Sequence, residues 1–173
     1  MKLTEQIIKD SLAGLIGQKV DYGVFDAQSR VNKALAEYAK ANGLDPRDFG
    51  VHKETDSWTL SLYYKSYSIG GVDIKRKKGA YHAAAWGLGG SYDWTYKGFC
   101  VWLWDSPDGS EDVESRIAEI DRVVLEKQNA AARDAARGKE AVELLKKAYG
   151  LDDAGAINLI GYLYSNRYRL ISE

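Results

Sequence analysis

Cysteine is nearly absent from this chain. Cys100 is the only one, so no intrachain disulfide can form and a multi-cysteine zinc cage is excluded. Histidine is almost as scarce, with only His52 and His82. A metal site would need carboxylates to complete it, from Glu54 or Asp56 beside His52 or from Asp93 beside His82, and neither set has a recognised ligand spacing. No metal and no cofactor are therefore expected. No apolar run approaches the ~20 residues that span a membrane. The opening Met1-Lys2-Leu3-Thr4-Glu5 lacks the apolar core of a signal peptide. The expectation is a cytoplasmic protein with no membrane partner. A net charge of −1 argues against bulk binding of polyanions and against a strongly acidic nucleic-acid mimic. Gly-x-Ser-x-Gly, His-Glu-x-x-His and the dinucleotide fingerprint are all missing.

Aromatics are what the chain has in quantity, with 12 Tyr and 5 Trp among 173 residues. At 45% hydrophobic and 28% charged, the composition is that of an ordinary globule, and the length is that of a single domain over 1–173.

Helical periodicity dominates both ends of the chain. Residues 4–17 carry Ile8, Leu12, Leu15 and Ile16 on one face, with Thr4 as cap and Gly17 as stop. A second helix, capped by Asp26, aligns Val31, Ala34, Leu35 and Tyr38. It is expected to end at Gly43, which suits a left-handed C′ position, with Leu44 making the following apolar contact. Asp45-Pro46 opens a short helical turn. After Ser110, a cap, the spacing of Val113, Ile117, Ile120 and Val124 predicts a helix that continues through an alanine-rich stretch to Tyr149. An unbroken helix would be about 58 Å long, so a fold-back into a hairpin at Gly138 is the expectation. Asp152 or Asp153 caps a last helix ending near Ser165.

The middle of the chain reads as strand. The alternation of Trp58–Ile69 is followed by Gly70-Gly71, a two-residue hairpin signal, and then by Val72–Lys75. That turn pairs Tyr67 with Ile74 and Lys65 with Arg76. It leaves a conflict of parity between Leu60, Leu62 and Tyr64 on one side and Tyr67 and Ile69 on the other. A bulge near Tyr63-Tyr64, or a hairpin tip leaving the core, would resolve it. Ala80–Gly90 follows no single period, and its glycines predict a bent loop. The stretch Ser91–Asp105 (SYDWTYKGFCVWLWD) turns apolar on both faces from Phe99 onward, as a central strand covered on both sides would. The fold class expected is α+β. An antiparallel meander over about 51–105 packs with N-terminal helices and with a helical C-terminal half.

Three function classes follow from these residues. The excess of Tyr and Trp without a catalytic set favours a non-enzymatic module that binds a protein. One form would be a phage or mobile-element accessory protein that inhibits a host enzyme or defence nuclease. Trp94 and Tyr96 would contribute a stacking or contact platform. Trp102 is the aromatic expected in the core. A second class is nucleic-acid binding. Lys75, Arg76, Lys77 and Lys78, with Lys65 placed across the hairpin and Tyr81 nearby, would offer cations for phosphates and rings for bases. The same lysines also guard a sheet edge against aggregation. A third class, a small enzyme, would centre on His82, alone or paired with Cys100. Cys100, lying between Phe99 and Val101, is expected to be a small buried hydrophobe. Gly87-Leu88-Gly89-Gly90 resembles a phosphate loop only superficially, because no helix pattern follows it.

Overall fold

The computed structural model describes residues 2–21, 24–55, 58–84, 89–104 and 112–165. Ser110, Trp86, Gly87 and Leu88 lie outside these residues. The expected α+β class is what the described residues form. Helices α1 (Glu5–Ala13) and α2 (Phe25–Ala41) lead through a 3₁₀ turn at Pro46–Asp48 into four strands. The strands are β1 (Phe49–Lys53), β2 (Thr59–Tyr64), β3 (Tyr67–Ala83) and β4 (Gly90–Leu103). Helices α3 (Val113–Tyr149) and α4 (Asp153–Ser165) complete the order. The sheet is an antiparallel meander in the order β1-β2-β3-β4.

Two compact units divide the chain, Met1–Asp121 and Arg122–Glu173. The sheet, α1, α2 and the first turns of α3 belong to the former. In this unit one sheet face is apolar: Val51, Leu60, Leu62, Tyr64, Val72, Ile74 and Val101 are buried. Ile8 and Leu12 of α1, Val31, Leu35 and Tyr38 of α2, and Val113, Ile117 and Ile120 of α3 are buried with them. The opposite face carries Ser61, Asp73, Cys100 and Trp102, and Trp102 is 42% exposed. This is the one-sided pattern of an antiparallel sheet with a single helical layer.

Two expectations about the strands need correction together. Phe99–Trp104 is not central: β4 is the last strand of the sheet. The turn, moreover, is not at Gly70-Gly71. It is at Lys65-Ser66, both in left-handed backbone (φ 46 and 69) between Tyr64 and Tyr67, as a two-residue hairpin turn of matching twist requires. The parity conflict resolves as a bulge. Leu62 pairs with Gly70 and Tyr63 with Ser68, which leaves Ile69 as the extra residue, fully buried. The glycines sit mid-strand because of what lies over them. A Cβ on Gly71 would fall 2.5 Å from the Trp102 indole, and one on Gly70 would fall 2.5 Å from the Trp102 carbonyl oxygen. Trp102, expected in the core, instead lies flat against the outer face of the sheet.

The helices follow their sequence signals with local shifts. Thr4 caps α1, which stops at Ala13. The start of α2 is held by Asp21, whose carboxylate accepts from the Phe25 amide while Val24 takes a left-handed φ of 53; Asp26 is already inside the helix. At its end Gly43 is left-handed (φ 70) and the Leu44 amide donates to the Ala39 carbonyl, as expected. Asp112 caps α3 by accepting from the Ser115 amide at 3.0 Å. Helix α3 is unbroken through Gly138, so no fold-back occurs there. One glycine costs a helix only about 1 kcal/mol relative to alanine, and the flanking Ala, Arg, Lys and Glu residues favour helix. In the second unit, Asp152 caps α4 through the Gly155 amide. Lys146 joins Glu143 (3.1 Å) and Asp153 (2.7 Å) across the turn.

Candidate binding ribbon

Strand β2 pairs with β3 only as far as Thr59 opposite Asp73. Beyond that point β3 pairs with β4 and no longer with β2, from Ile74 opposite Phe99 to Ala83 opposite Gly90. This ribbon contains the sequence-predicted basic run, and residues 18–20 flank β4 along part of it. Two bulges interrupt it: Lys97 is an extra residue on β4, and Gly79-Ala80 stand against the single Asp93. Each bulge reverses the facing of the residues beyond it and sharpens the twist.

The first bulge explains why Arg76 shares a face with Trp94 and Tyr96. The Arg76 guanidinium carbon lies 3.6 Å from the Trp58 ring centre and 3.9 Å from that of Trp94. The two indoles are themselves 6.3 Å apart, so the cation is wedged between them. Burial pulls the Arg76 pKa below its ordinary value, and the compensation comes from ring faces rather than from a carboxylate. Further out, Lys78 Nζ lies 3.5 Å from the Tyr92 ring centre, and Tyr92 packs on Tyr81 at 4.9 Å. Tyr81 is 52% and Tyr92 41% exposed.

Asp93 is the one acidic side chain in the outer ribbon, and it is occupied. Lys19 Nζ reaches one carboxylate oxygen and His82 Nε2 the other, each at 2.6 Å. These contacts, Lys19 first, hold the Asp93 carboxyl below its usual range. Lys19 comes from a short segment that extends the sheet beyond β4. The Val20 amide donates to the Trp94 carbonyl, and the Tyr96 amide donates to that of Gln18. Among the described residues no carboxylate pairs with Lys75, Arg76, Lys77, Lys78 or Lys97.

The predicted site residues therefore divide. Lys75, Arg76, Lys77, Lys78, Tyr81 and Trp94 are brought together on the ribbon. Lys65 is not. With the turn at Lys65-Ser66 it sits at the other end of the sheet, bound to Asp121 (2.7 Å) and Asp48 (3.7 Å). Tyr96 is buried at 1% exposure, and its hydroxyl donates to Asp21 at 3.0 Å. It is a core residue and offers no contact platform. Cys100, expected to be buried, is exposed on the outer face. His82 stands opposite Ser91, and Cys100 opposite Asp73. Nine residues of strand, about 30 Å, therefore separate the supposed thiol–imidazole pair. Sequence reasoning missed Trp58, Tyr92 and Lys97; correct pairing of β3 with β4 is the signal that would have found them.

Among the described residues no group of three His, Cys, Asp or Glu side chains converges as a metal site would, and no helix is long and apolar enough to cross a membrane. Comparison of the chain with protein-family models, with curated proteins and with solved structures finds no match.

Proposed function

We propose that this protein is a nucleic-acid-binding protein that grips a single strand along the β3–β4 ribbon. The observation that carries the reading is the set of Lys75, Arg76, Lys77, Lys78 and Lys97, without carboxylate partners among the described residues, beside the exposed Tyr81–Tyr92 pair. Cations neutralise phosphates and ring faces stack on bases. The overall charge of −1 confines such an interaction to this local surface. The ribbon's function is binding, with no catalysis assigned to it. The test is fluorescence anisotropy of labelled single-stranded DNA and RNA over a salt series. Reversal of Lys75, Lys77 and Lys78 to Glu is expected to weaken binding at least tenfold and to flatten the salt slope by about 0.7 per lost phosphate contact. Unchanged affinity after that reversal would dispose of the reading.

A second reading, a protein partner, draws on a different observation. In the second unit Leu144, Tyr149, Ile157, Tyr162 and Tyr164 are exposed large apolar side chains. Exposed apolar side chains that form a contiguous patch mark contact surfaces. On this reading the chain is a binding module, and inhibition of a host enzyme or defence nuclease by a phage or mobile-element product is the form it takes. A partner captured by the wild-type chain and lost with Ile157→Glu would support it. Capture unaffected by that change would count against it.

A further inference from the structure

Strand β4 carries one residue too many at Lys97. Lys75 pairs with Gly98 and Arg76 with Tyr96, so Lys97 has no partner across the ladder. At this kink lies a shallow, open depression of about 610 Å³, within the ~300–1,000 Å³ of ordinary ligand sites. Lys9, Lys75, Arg76 and Lys97 line it, with Gly98 and Cys100 among its walls, and no acidic residue is part of the lining. Gly98 keeps the floor open: a Cβ there would meet nothing within 4 Å. Of the four cations, Lys9 is paired with Glu5 at 2.8 Å. The other three have no carboxylate partner among the described residues.

Arg76 gives the depression its chemical preference. Its ring-facing surfaces are taken by Trp58 and Trp94, which leaves the N–H edge of the guanidinium for hydrogen bonding. That edge is a planar fork that matches two oxygens of a phosphate, and stacking fixes its orientation in advance. Lysines around a fixed fork add point charge without competing for its geometry. Lys75 and Lys97, without carboxylate partners among the described residues and lining one concavity, also repel one another, a cost that an anion between them would relieve.

We propose that the depression at the Lys97 bulge is a phosphate-binding site, in which Arg76 recognises the oxygens and Lys75, Lys97 and Lys9 supply the charge. The ligand is a phosphate group, either a phosphodiester of a strand lying along the ribbon or a free phosphate compound. Only the first source rests on the nucleic-acid reading above.

Cys100 provides the assay, because it is the sole thiol of the chain, is exposed, and lies in the wall of the depression. Its alkylation by the neutral reagent iodoacetamide is timed in the full chain, alone and with sodium pyrophosphate. It is timed again with a single-stranded oligothymidylate, and anisotropy reports oligonucleotide binding in parallel. Pyrophosphate is expected to slow alkylation several-fold. Lys75→Gln with Lys97→Gln should raise the pyrophosphate concentration required by about tenfold or more, the worth of a charge-assisted hydrogen bond. Lys33→Gln with Lys40→Gln, exposed positions on α2, removes the same charge elsewhere and should change it little.

Protection by pyrophosphate, with no oligonucleotide binding seen by anisotropy, keeps the site and overturns the nucleic-acid reading. Oligonucleotide binding that neither protects Cys100 nor depends on Lys75 and Lys97 keeps that reading and overturns the site. Absence of both effects overturns both. Protection by poly-L-glutamate as strong as that by pyrophosphate also overturns the phosphate assignment, in favour of an acidic protein.

Discussion

Replacing Arg76 by Met tests whether the indole–guanidinium wedge holds the ribbon to the sheet. Methionine keeps most of the unbranched stem and removes the charge, so packing changes little. The guanidinium carbon lies 3.6 and 3.9 Å from the two ring centres, well inside the ~6 Å reach of a cation–π contact. Arg76 is half-buried, so each contact belongs between the exposed and desolvated limits, about 1 kcal/mol apiece and about 2 kcal/mol together. For a chain of this size that corresponds to a fall in Tm of roughly 4–8 °C. All five tryptophans lie between positions 58 and 104, within the first unit, so indole fluorescence during urea unfolding reports on that unit. A double-mutant cycle with Trp94→Leu should return a coupling of about 1 kcal/mol, which isolates one of the two contacts. The opposing term is desolvation of an arginine that lacks a carboxylate. If that term is larger, Arg76→Met raises Tm, as the removal of poorly compensated buried charges does elsewhere. A rise, or a coupling near zero, would refute the stabilising role given to the wedge.

Three other outcomes are expected. Ser66→Gly should stabilise the first unit by roughly 0.5–1 kcal/mol, because Ser66 holds a left-handed φ of 69 that glycine adopts without a Cβ penalty; urea titration measures it, and a loss of stability would refute the turn assignment. Gly70→Ala should cost about 1–3 kcal/mol through collision with the Trp102 backbone, whereas Gly138→Ala, with open space around it, should gain about 1 kcal/mol of helix stability. A helix broken at position 138 would show no such gain in the thermal unfolding of α3 followed by circular dichroism. At alkaline pH, burial and the carboxylates of Glu114 and Asp112 push Tyr38 up to about 12 from the ordinary 10.0. Burial, with Asp21 and Asp121 respectively, also raises Tyr96 and Tyr64. The neutral phenol is the form the fold favours, so this stability is whole below pH 10 and drains away as the pH rises toward 12. Phenolate absorbance should therefore show a late group of tyrosines that ionises together with unfolding, and full ionisation of all twelve near pH 10 in the folded state would contradict it.

The sequence was most legible where a local signal had no competitor. Val31, Leu35 and Tyr38 with Gly43 and Leu44 define α2 and its end unaided, and Asp45-Pro46 defines the 3₁₀ turn. The fold class and the span of the meander were legible too, from a change of hydrophobic period. The site was half legible. Lys75 to Lys78 were evident as a run, but their neighbours depend on register, and register was misread. Gly70-Gly71 carries the residue signature of a hairpin turn, while Lys65-Ser66, the true turn, has neither glycine nor asparagine to announce it. That single exchange moved Lys65 to the wrong end of the sheet and hid the approach of Trp58 to Arg76. Burial of Tyr96 was hidden by the bulge at Lys97, because an extra residue in an edge strand leaves no mark in the periodicity of its own sequence.

Gly70-Gly71 beneath Trp102 also bears on how β3 and β4 find each other. Antiparallel strands could slide by two residues without changing which face is apolar, so hydrophobicity alone would tolerate the slip. The indole does not tolerate it. Slid two places along β3, it would meet the side chain of Ser68-Ile69 or Val72-Asp73 where it now meets bare backbone. The pair of glycines is a notch into which only one alignment fits. The outer ribbon inherits its cation–ring pairs from a key cut some twenty ångströms away, near the sheet's other end.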